Sequence, residues 1–268
     1  MKKRKKLGVA LGSGGPRGLY HIGVLKTLAK NKIPIDYLAG SSIGAWVGGH
    51  YALNKNIEQL EELTNGRKIE KLMSMLEFSL SGGFIKGNKL ERLLNEWLGN
   101  ARFEDVKIPF RAVATDLMAG VPVIFRTGAL APALRASMAI PGAFAPVVHQ
   151  DKILIDGGIS NPVPDDIVRK MGADVILAVD LNGIPRGKDI RKEKPQAITD
   201  ILETAINVLY HHLAAATTKD ADIILRPYLE KYAGWSDYFF TNKGHEAIEL
   251  GERETRRIIP RLKNIMEI

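Results

Sequence analysis

The segment Gly40-Ser41-Ser42-Ile43-Gly44 lies between two apolar stretches and determines how this sequence is interpreted. The run Tyr37-Leu38-Ala39 before it predicts a strand, and the apolar residues 45–51 after it predict a helix. A serine placed two residues from each of two glycines, at such a strand-to-helix turn, is the pattern of a nucleophile elbow. The spacing selects Ser42, not Ser41, as the candidate nucleophile. An ordinary Gly/Ser turn is the alternative interpretation.

The elbow belongs to a longer strand–helix–strand unit. The buried-type run Leu7 to Leu11 predicts a first strand, and a glycine-rich loop follows it at residues 12–18. Apolar residues at helical spacing then predict a helix, namely Ile22, Leu25, Leu28 and Ala29. A unit of this length favours two parallel strands with a right-handed crossover.

The rest of the chain continues to alternate between strand and helix patterns. Strands are predicted at 110–115, 121–125, 152–155, 174–179 and 223–225, with helices in most of 57–100 and at 130–138, 198–213 and 242–266. This alternation, without a break in composition, predicts an α/β fold, a three-layer αβα sandwich with a mainly parallel central sheet. We expect a basic tail at residues 1–6 and a single domain over residues 7–268.

Two segments stand out from this pattern. Residues 73–88 contain apolar side chains around a Ser/Gly interruption, so they predict either a lid over a lipid site or a helix–helix connection packed on the core. Residues 183–195 are rich in charge, Gly and Pro and predict an exposed, mobile loop.

Composition limits the classes of protein to which this chain can belong. With 45% apolar residues among 268, the chain has the composition of a globular protein with a real core. The absence of cysteine excludes disulfides, a thiol nucleophile and Cys-ligated metals. The apolar run after the basic tail is too short for a signal peptide, and no stretch approaches the roughly 20 residues that span a bilayer. These features predict a soluble or peripheral protein.

The positive charge is concentrated at the amino terminus. Of the net charge of +8, five positive charges belong to Lys2, Lys3, Arg4, Lys5 and Lys6, which leaves the remainder of the chain near neutrality. Such a tail predicts contact with an anionic surface, either phospholipid or nucleic acid. A solvated tail that aids solubility is the alternative.

The glycine-rich loop Gly12-Ser13-Gly14-Gly15-Pro16-Arg17-Gly18 suits an anionic ligand, because it follows a strand and opens a helix. A dinucleotide fingerprint fits it poorly, since Arg17 occupies a position that this pattern reserves for glycine. The other use of such a loop is an oxyanion hole. Both turns follow strands of one parallel unit, so the amides of Gly14 and Gly15 are expected near Ser42, with Arg17 holding the loop or meeting a phosphate head group.

A serine nucleophile needs a base. None of the six histidines lies in a motif that marks it as that base; they are His21, His50, His149, His211, His212 and His245. Asp156 is the better candidate, because it ends an apolar strand and two glycines follow it. As a base, it requires reach to Ser42 and a pKa raised by partial burial. A turn-initiating Asp is the alternative.

Taken together, these motifs resemble those of the patatin-like phospholipases. The glycine-rich loop with its basic residue, the elbow and the later Asp156-Gly157-Gly158 occur in the order found in that family. The segment Arg135 to Val147 also resembles the family's Ala-Ser-x-Ala-x-Pro-x-x-Phe-x-Pro stretch. The resemblance runs from about residue 7 to about residue 180 and is nearest to short, single-domain bacterial members. Ser13 departs from it, since many members have glycine there.

The resemblance implies a Ser–Asp dyad without histidine, with Ser42 as nucleophile and Asp156 as proton acceptor. It assigns the oxyanion hole to Gly14 and Gly15, with Arg17 as the loop's basic residue. The implied activity is hydrolysis of phospholipid or related acyl esters without a metal or organic cofactor. Separately, the basic tail and the lack of a signal peptide or membrane span predict a cytoplasmic protein with peripheral contact at the inner membrane face, and no nucleic-acid partner is expected. The alternatives are a lipid-binding regulatory protein with low turnover and an acyltransferase.

Overall fold

Short apolar runs form one eight-stranded sheet. In the computed structural model, residues 4–64, 88–142, 144–183, 198–229 and 243–268 are described. The strands are β1 (Leu7–Leu11), β2 (Tyr37–Ser41), β3 (Phe110–Asp116), β4 (Val121–Phe125), β5 (Val147–His149), β6 (Lys152–Asp156), β7 (Val175–Val179) and β8 (Ile223–Leu225).

Helices cover both faces of this sheet. They are α1 (Leu19–Lys30), α2 (Ile43–Asn54), α3 (Ile57–Thr64), α4 (Asn88–Leu98), α5 (Leu130–Ser137), α6 (Asp165–Lys170), α7 (Ile198–Thr217) and α8 (Lys243–Met266). Short 3₁₀ turns occupy Gly15–Gly18, Phe103–Asp105 and Gly157–Ile159. The predicted lid or connection lies, apart from residue 88, outside the described residues, and so does the predicted loop beyond residue 183.

The sheet has a parallel centre and an antiparallel extension. Strands β8, β7, β1, β2 and β3 are neighbours in that order and run parallel. Strands β4 and β6 both pair antiparallel with β3, and β5 pairs antiparallel with β6. The predicted α/β sandwich is therefore confirmed.

Alternation along β1 produces two cores. Leu7, Val9 and Leu11 point to the larger core, which includes the packed pair α1 and α8. Ala10 points to the other face, where Val168 of α6 forms part of a smaller core. Both faces of β1 are fully buried, which is why its sequence is a continuous apolar run.

Strands β2 and β6 lie end to end along one side of strand β3. Its first half pairs with β2, whose last residue Ser41 lies opposite Val113, and its second half pairs with β6, whose last residue Asp156 lies opposite Ala114. Because β4 pairs with β3 across both of these stretches, β2 and β6 must lie on the opposite side of β3 from β4. The carboxyl ends of β2 and β6 therefore meet at neighbouring residues of β3.

The described part of the basic tail lies at the amino ends of the parallel strands. The guanidinium of Arg4 donates to both carboxylate oxygens of Asp36, which precedes β2. Lys5 forms an ion pair with Glu267, and Lys6 donates to the hydroxyl of Tyr37. These cations are thus engaged with the domain at the edge of the sheet opposite to the elbow. Among the described residues, no helix has the length and apolar character needed to span a bilayer.

We expect the Leu11→Ala substitution to lower the free energy of unfolding by about 2–5 kcal/mol, because Leu11 is fully buried in the larger core and its loss leaves a cavity. Leu209→Ala is the control, since that side chain is mostly exposed, and its effect should stay within about 0.5 kcal/mol. Urea denaturation followed by circular dichroism measures both. Similar losses in the two variants would contradict this account of the core.

Candidate active site

Ser42 occupies a strained turn between β2 and α2. Its backbone has φ of 55° and ψ of −123°. Residues other than glycine rarely adopt this backbone conformation, which costs on the order of 1–3 kcal/mol. A Cβ atom added to Gly44 would lie 2.1 Å from the main-chain oxygen of Leu11, and one on Gly40 would lie 2.2 Å from that of Gly44. The two glycines of the motif are therefore required by the close passage of strand and helix.

The hydroxyl of Ser42 contacts the carboxylate of Asp156. Ser42 Oγ donates to Asp156 Oδ2 over 2.5 Å, although the two residues are 114 positions apart in the chain. Both side chains are almost completely buried. The end-to-end arrangement of β2 and β6 along β3 accounts for this contact, since each residue lies at the carboxyl end of its strand.

Four further groups hold Asp156 in place. Its Oδ1 accepts a hydrogen bond from the amide of Gly158 at 2.8 Å and a longer one from the hydroxyl of Tyr210 at 3.5 Å. Thr115 donates from its hydroxyl to the main-chain oxygen of Asp156, and the amide of Asp156 donates to the carbonyl of Ala139. The carboxylate thus presents Oδ2 to Ser42 while Oδ1 is occupied.

Burial raises the pKa of Asp156 to about 6, because the site offers the ionised carboxylate little solvation. The hydrogen bonds from Ser42, Gly158 and Tyr210 act in the opposite direction and lower that pKa. Asp156 is therefore mostly ionised at neutral pH and is more basic than an exposed aspartate. This combination is what a general base near pH 7 requires.

The amide of Ser42 is not available to a ligand. It donates to Ser137 Oγ at 2.9 Å, and that hydroxyl donates in turn to the carbonyl of Val113. Ser137 therefore connects the elbow to β3 from α5. The Ser42 amide is therefore not a free donor for an oxyanion, and the glycine-rich loop at the end of the neighbouring strand β1 is the segment that the sequence assigns to this role.

That loop follows β1, which is the neighbour of β2 in the sheet. The amides of Gly12 and Ser13 donate to the carbonyls of Val179 and Pro162. Within the described residues, the amides of Gly14 and Gly15 donate to no main-chain carbonyl, while Pro16 has no N–H at all. The loop therefore leaves two adjacent donors at the carboxyl edge of the sheet.

Arg17 is buried and holds the loop. Its Nε donates to the carbonyl of Gly14 at 2.9 Å, and its NH2 donates to Asn182 Oδ1 at 3.2 Å. Of the two roles that the sequence leaves open for Arg17, these contacts match the structural one.

Asn182 is a site residue that sequence reasoning missed. Its Nδ2 donates to both the carbonyl and the hydroxyl oxygen of Ser13, and its Oδ1 accepts from Arg17. One buried amide thus links the two ends of the glycine-rich loop. The available signal was its place just after the buried strand β7, since polar residues at the carboxyl ends of parallel strands meet at one edge. Tyr210, in the middle of α7, offered no comparable signal.

The histidines do not supply a base to Ser42 within the described part of the chain. His21 contacts the carbonyl of Gly12 through Nε2 at 2.8 Å, and complete burial lowers its pKa to about 4. His21 is therefore neutral and supports the loop from α1. No group of three or more His, Asp or Glu side chains suited to a metal ion occurs among the residues described.

Solved structures share this fold. The crystal structure of VipD from Legionella pneumophila matches with a TM-score of 0.62 at 13% identity, covering 96% of this chain and 67% of that chain. The structure of the ExoU–SpcU complex from Pseudomonas aeruginosa matches with a TM-score of 0.54 at 15% identity, covering 100% of this chain and 53% of that chain. At such low identity, these likenesses show the architecture alone.

The sequence comparisons identify the family. The model of the patatin-like phospholipase family matches residues 9–168, and the chain belongs to this family. An NTE family protein of Mycobacterium tuberculosis is 38% identical over 183 residues, which are 68% of this chain and 51% of the relative. Lysophospholipase NTE1 of Pyricularia oryzae is 30% identical over 74% of this chain and 13% of the relative. The chain spans about half the length of the mycobacterial relatives, and the predicted family is confirmed.

We expect Tyr210→Phe to raise the pKa of Asp156, because the variant removes a hydrogen bond that favours the ionised carboxylate. The rate at which a fluorophosphonate labels the protein falls when Asp156 becomes protonated. In the variant, this fall on acidification should therefore occur at a higher pH than in the wild type. Tyr37→Phe is the control, since Tyr37 lies at the opposite edge of the sheet. An unchanged pH profile in Tyr210→Phe would contradict a role for this hydroxyl at Asp156.

Proposed function

We propose that the protein is a serine acyl hydrolase that cleaves phospholipid or related lipid acyl esters through a Ser42–Asp156 dyad. The observation that carries this proposal is the 2.5 Å contact between Ser42 Oγ and Asp156 Oδ2 at a strained strand-to-helix turn. Family membership supports the class of substrate, as does the name of a fungal relative, which is a lysophospholipase. The hydrolase is preferred over a dinucleotide-binding protein because Arg17 breaks the glycine pattern and is itself buried in the loop.

In the first half of the reaction, Ser42 Oγ attacks the ester carbonyl carbon while its proton moves to Asp156 Oδ2. The carbonyl oxygen becomes an oxyanion, and the amides of Gly14 and Gly15 donate to it. Collapse of the tetrahedral intermediate breaks the bond to the leaving alcohol, which takes the proton from Asp156. The products are an acyl ester of Ser42 and the released alcohol.

In the second half, water attacks the acyl carbonyl and gives its proton to the same carboxylate. The fatty acid leaves, and the proton returns to Ser42 Oγ. A single base thus serves both steps, which is consistent with the absence of a histidine on Ser42 among the described residues. Arg17 and Asn182 contribute by keeping the loop amides in position, because neither the Gly14 carbonyl nor Ser13 can turn without losing their hydrogen bonds.

Ser42→Ala should reduce hydrolysis of p-nitrophenyl butyrate by about three orders of magnitude or more and abolish labelling by a fluorophosphonate. Ser41→Ala is a closely matched control, since it removes the neighbouring hydroxyl, which is buried and has no hydrogen-bond partner among the residues that the structure describes. The control should keep most of the activity. Full activity in Ser42→Ala would refute the proposed nucleophile, and a labelled protein without turnover would favour the lipid-binding alternative. Acyl transfer to an added alcohol faster than to water would favour the acyltransferase.

We also propose that the basic tail assists contact with anionic membranes, at the inner face of a cytoplasmic membrane. Arg4, Lys5 and Lys6 are engaged at the amino edge of the sheet, so the tail acts as a tether and does not itself present the substrate. Lys2 and Lys3 supply the remaining charge.

The double change Lys2→Gln and Lys3→Gln should weaken binding to phosphatidylglycerol vesicles several-fold at low salt, since each cation near an anionic surface contributes about 1 kcal/mol. The difference should vanish at high salt because the attraction is screened. Vesicle sedimentation measures both conditions. Binding that is equal in variant and wild type at low salt would contradict the role of the tail.

A further inference from the structure

The antiparallel extension of the sheet carries a concentration of exposed apolar side chains. Of the ten large hydrophobic residues that are exposed in the described part of the chain, six lie on β3–β4 or β5–β6. They are Leu117, Met118, Val121, Ile124, Val148 and Ile153. Met118 is 78% exposed and Val148 is 76% exposed, so these side chains are not partly buried residues at the border of a core.

Strand register places three of these side chains side by side. Val148 of β5 pairs with Ile153 of β6, and the amide of Leu117 donates to the carbonyl of Ile153 at 2.8 Å. Directly opposed residues of antiparallel strands point to the same face of the sheet. Leu117, Ile153 and Val148 therefore form a continuous apolar row, and Met118 follows at the turn. We call these four residues the apolar face.

The apolar face lies at the same edge of the sheet as the active site. Strand β3 continues past the level of Ser41, so Leu117 lies beyond the carboxyl end of β2. Ile153 and Asp156 belong to the same strand, and their separation of three residues corresponds to about 10 Å. Because they are three positions apart, the side chains of Ile153 and Asp156 point to opposite faces of the sheet, so the apolar face adjoins the dyad at this end of the sheet without lining the site.

The charges beside the apolar face are of both signs, since the exposed Asp151 and Lys152 lie at the turn between β5 and β6. Residues 117–125 contain no charged side chain, and Arg126 follows them. The carboxylate of Asp116 is occupied by the turn amides of Met118 and Ala119 and by Lys152.

The strands at the borders of the extension are poor templates for a further strand. Strand β4 carries Pro122, which lacks an N–H, and β5 is only three residues long. Proteins use both devices to prevent edge pairing with a second copy. A binding partner of this region would therefore contact the apolar side chains on its face and would not add a strand to the edge of the sheet. Monomeric proteins rarely expose contiguous apolar patches of this kind without a binding role.

We propose that the apolar face, Leu117, Met118, Val148 and Ile153, docks the protein onto the surface of a phospholipid aggregate and so holds the end of the sheet that carries the Ser42–Asp156 site at that surface. The choice of lipid as occupant rests on the proposed function. The docking is separate from the basic tail, whose described residues lie at the opposite edge of the sheet. It depends on apolar contact and therefore extends to uncharged, zwitterionic membranes.

The test uses the full chain with Leu117→Gln, Met118→Gln and Val148→Thr combined, and vesicles of pure phosphatidylcholine, on which the basic tail gains no electrostatic attraction. Ile268→Gln is the control, because Ile268 is 48% exposed, as Leu117 is at 47%, but lies near the amino edge of the sheet. Vesicle sedimentation and release of fatty acid from the vesicles are measured. Hydrolysis of p-nitrophenyl butyrate, a monomeric substrate, is measured in parallel.

We expect the triple variant to bind vesicles about tenfold more weakly and to release fatty acid from them correspondingly more slowly, while butyrate hydrolysis stays within about twofold of wild type. The control should match the wild type in all assays. Vesicle binding by the triple variant equal to that of the wild type would overturn the proposal. So would a wild type that does not bind phosphatidylcholine, or equal losses on monomeric and vesicle substrates.

Two further outcomes separate the alternatives. If light scattering shows a concentration-dependent dimer of the wild type that the triple variant abolishes, without an effect on vesicle binding, the apolar face is a contact between copies and the proposal is wrong. If the wild type binds vesicles through the apolar face but hydrolyses no ester, the proposed function fails and the docking surface stands. The sedimentation assay does not depend on turnover, so the two failures are distinguishable.

Discussion

The contact between Ser42 and Asp156 depends on one constraint, the pairing of β2 and β6 with successive halves of β3. The two strands run toward each other and end at Val113 and Ala114 of the same partner strand. Main-chain hydrogen bonds therefore set the separation of the two side chains. A hydroxyl and a carboxylate held by sheet register need little reorganisation before proton transfer, which is how preorganised sites lower barriers.

Several buried polar groups around this contact are held in one orientation by their hydrogen bonds. Ser137 ties the amide of Ser42 to β3, and Asn182 ties Ser13 to Arg17. Leaving such groups unpaired in a low-dielectric site costs about 1–3 kcal/mol each, so the network resists rotation of the loop and of the elbow. The same low dielectric raises the pKa of Asp156 to about 6 and makes the carboxylate a stronger base.

The two edges of the sheet have different characters. Basic residues engage acidic and phenolic partners at the amino edge, whereas exposed apolar side chains and the dyad share the carboxyl edge. The sequence concentrates net positive charge at the amino terminus, just before the first of the two strands that it predicts to be parallel. The distance between charge and chemistry is therefore a product of the parallel strand order, which puts the start of β1 and the end of β2 at opposite edges.

The sequence by itself determined the strand–helix–strand unit, the mainly parallel sheet and the set of motifs that contains Ser42, Asp156 and the glycine-rich loop, because periodicity and glycine spacing are local properties. Only the tertiary structure decided that Ser42 and Asp156 touch, that Arg17 binds its own loop, and that Asn182 and Tyr210 join the site. The physical reason is that these contacts join residues more than fifty positions apart, or bind a side chain back to its own loop, and are set by strand register and helix packing. A local sequence pattern identifies the candidate residues, whereas strand register determines which of them are in contact.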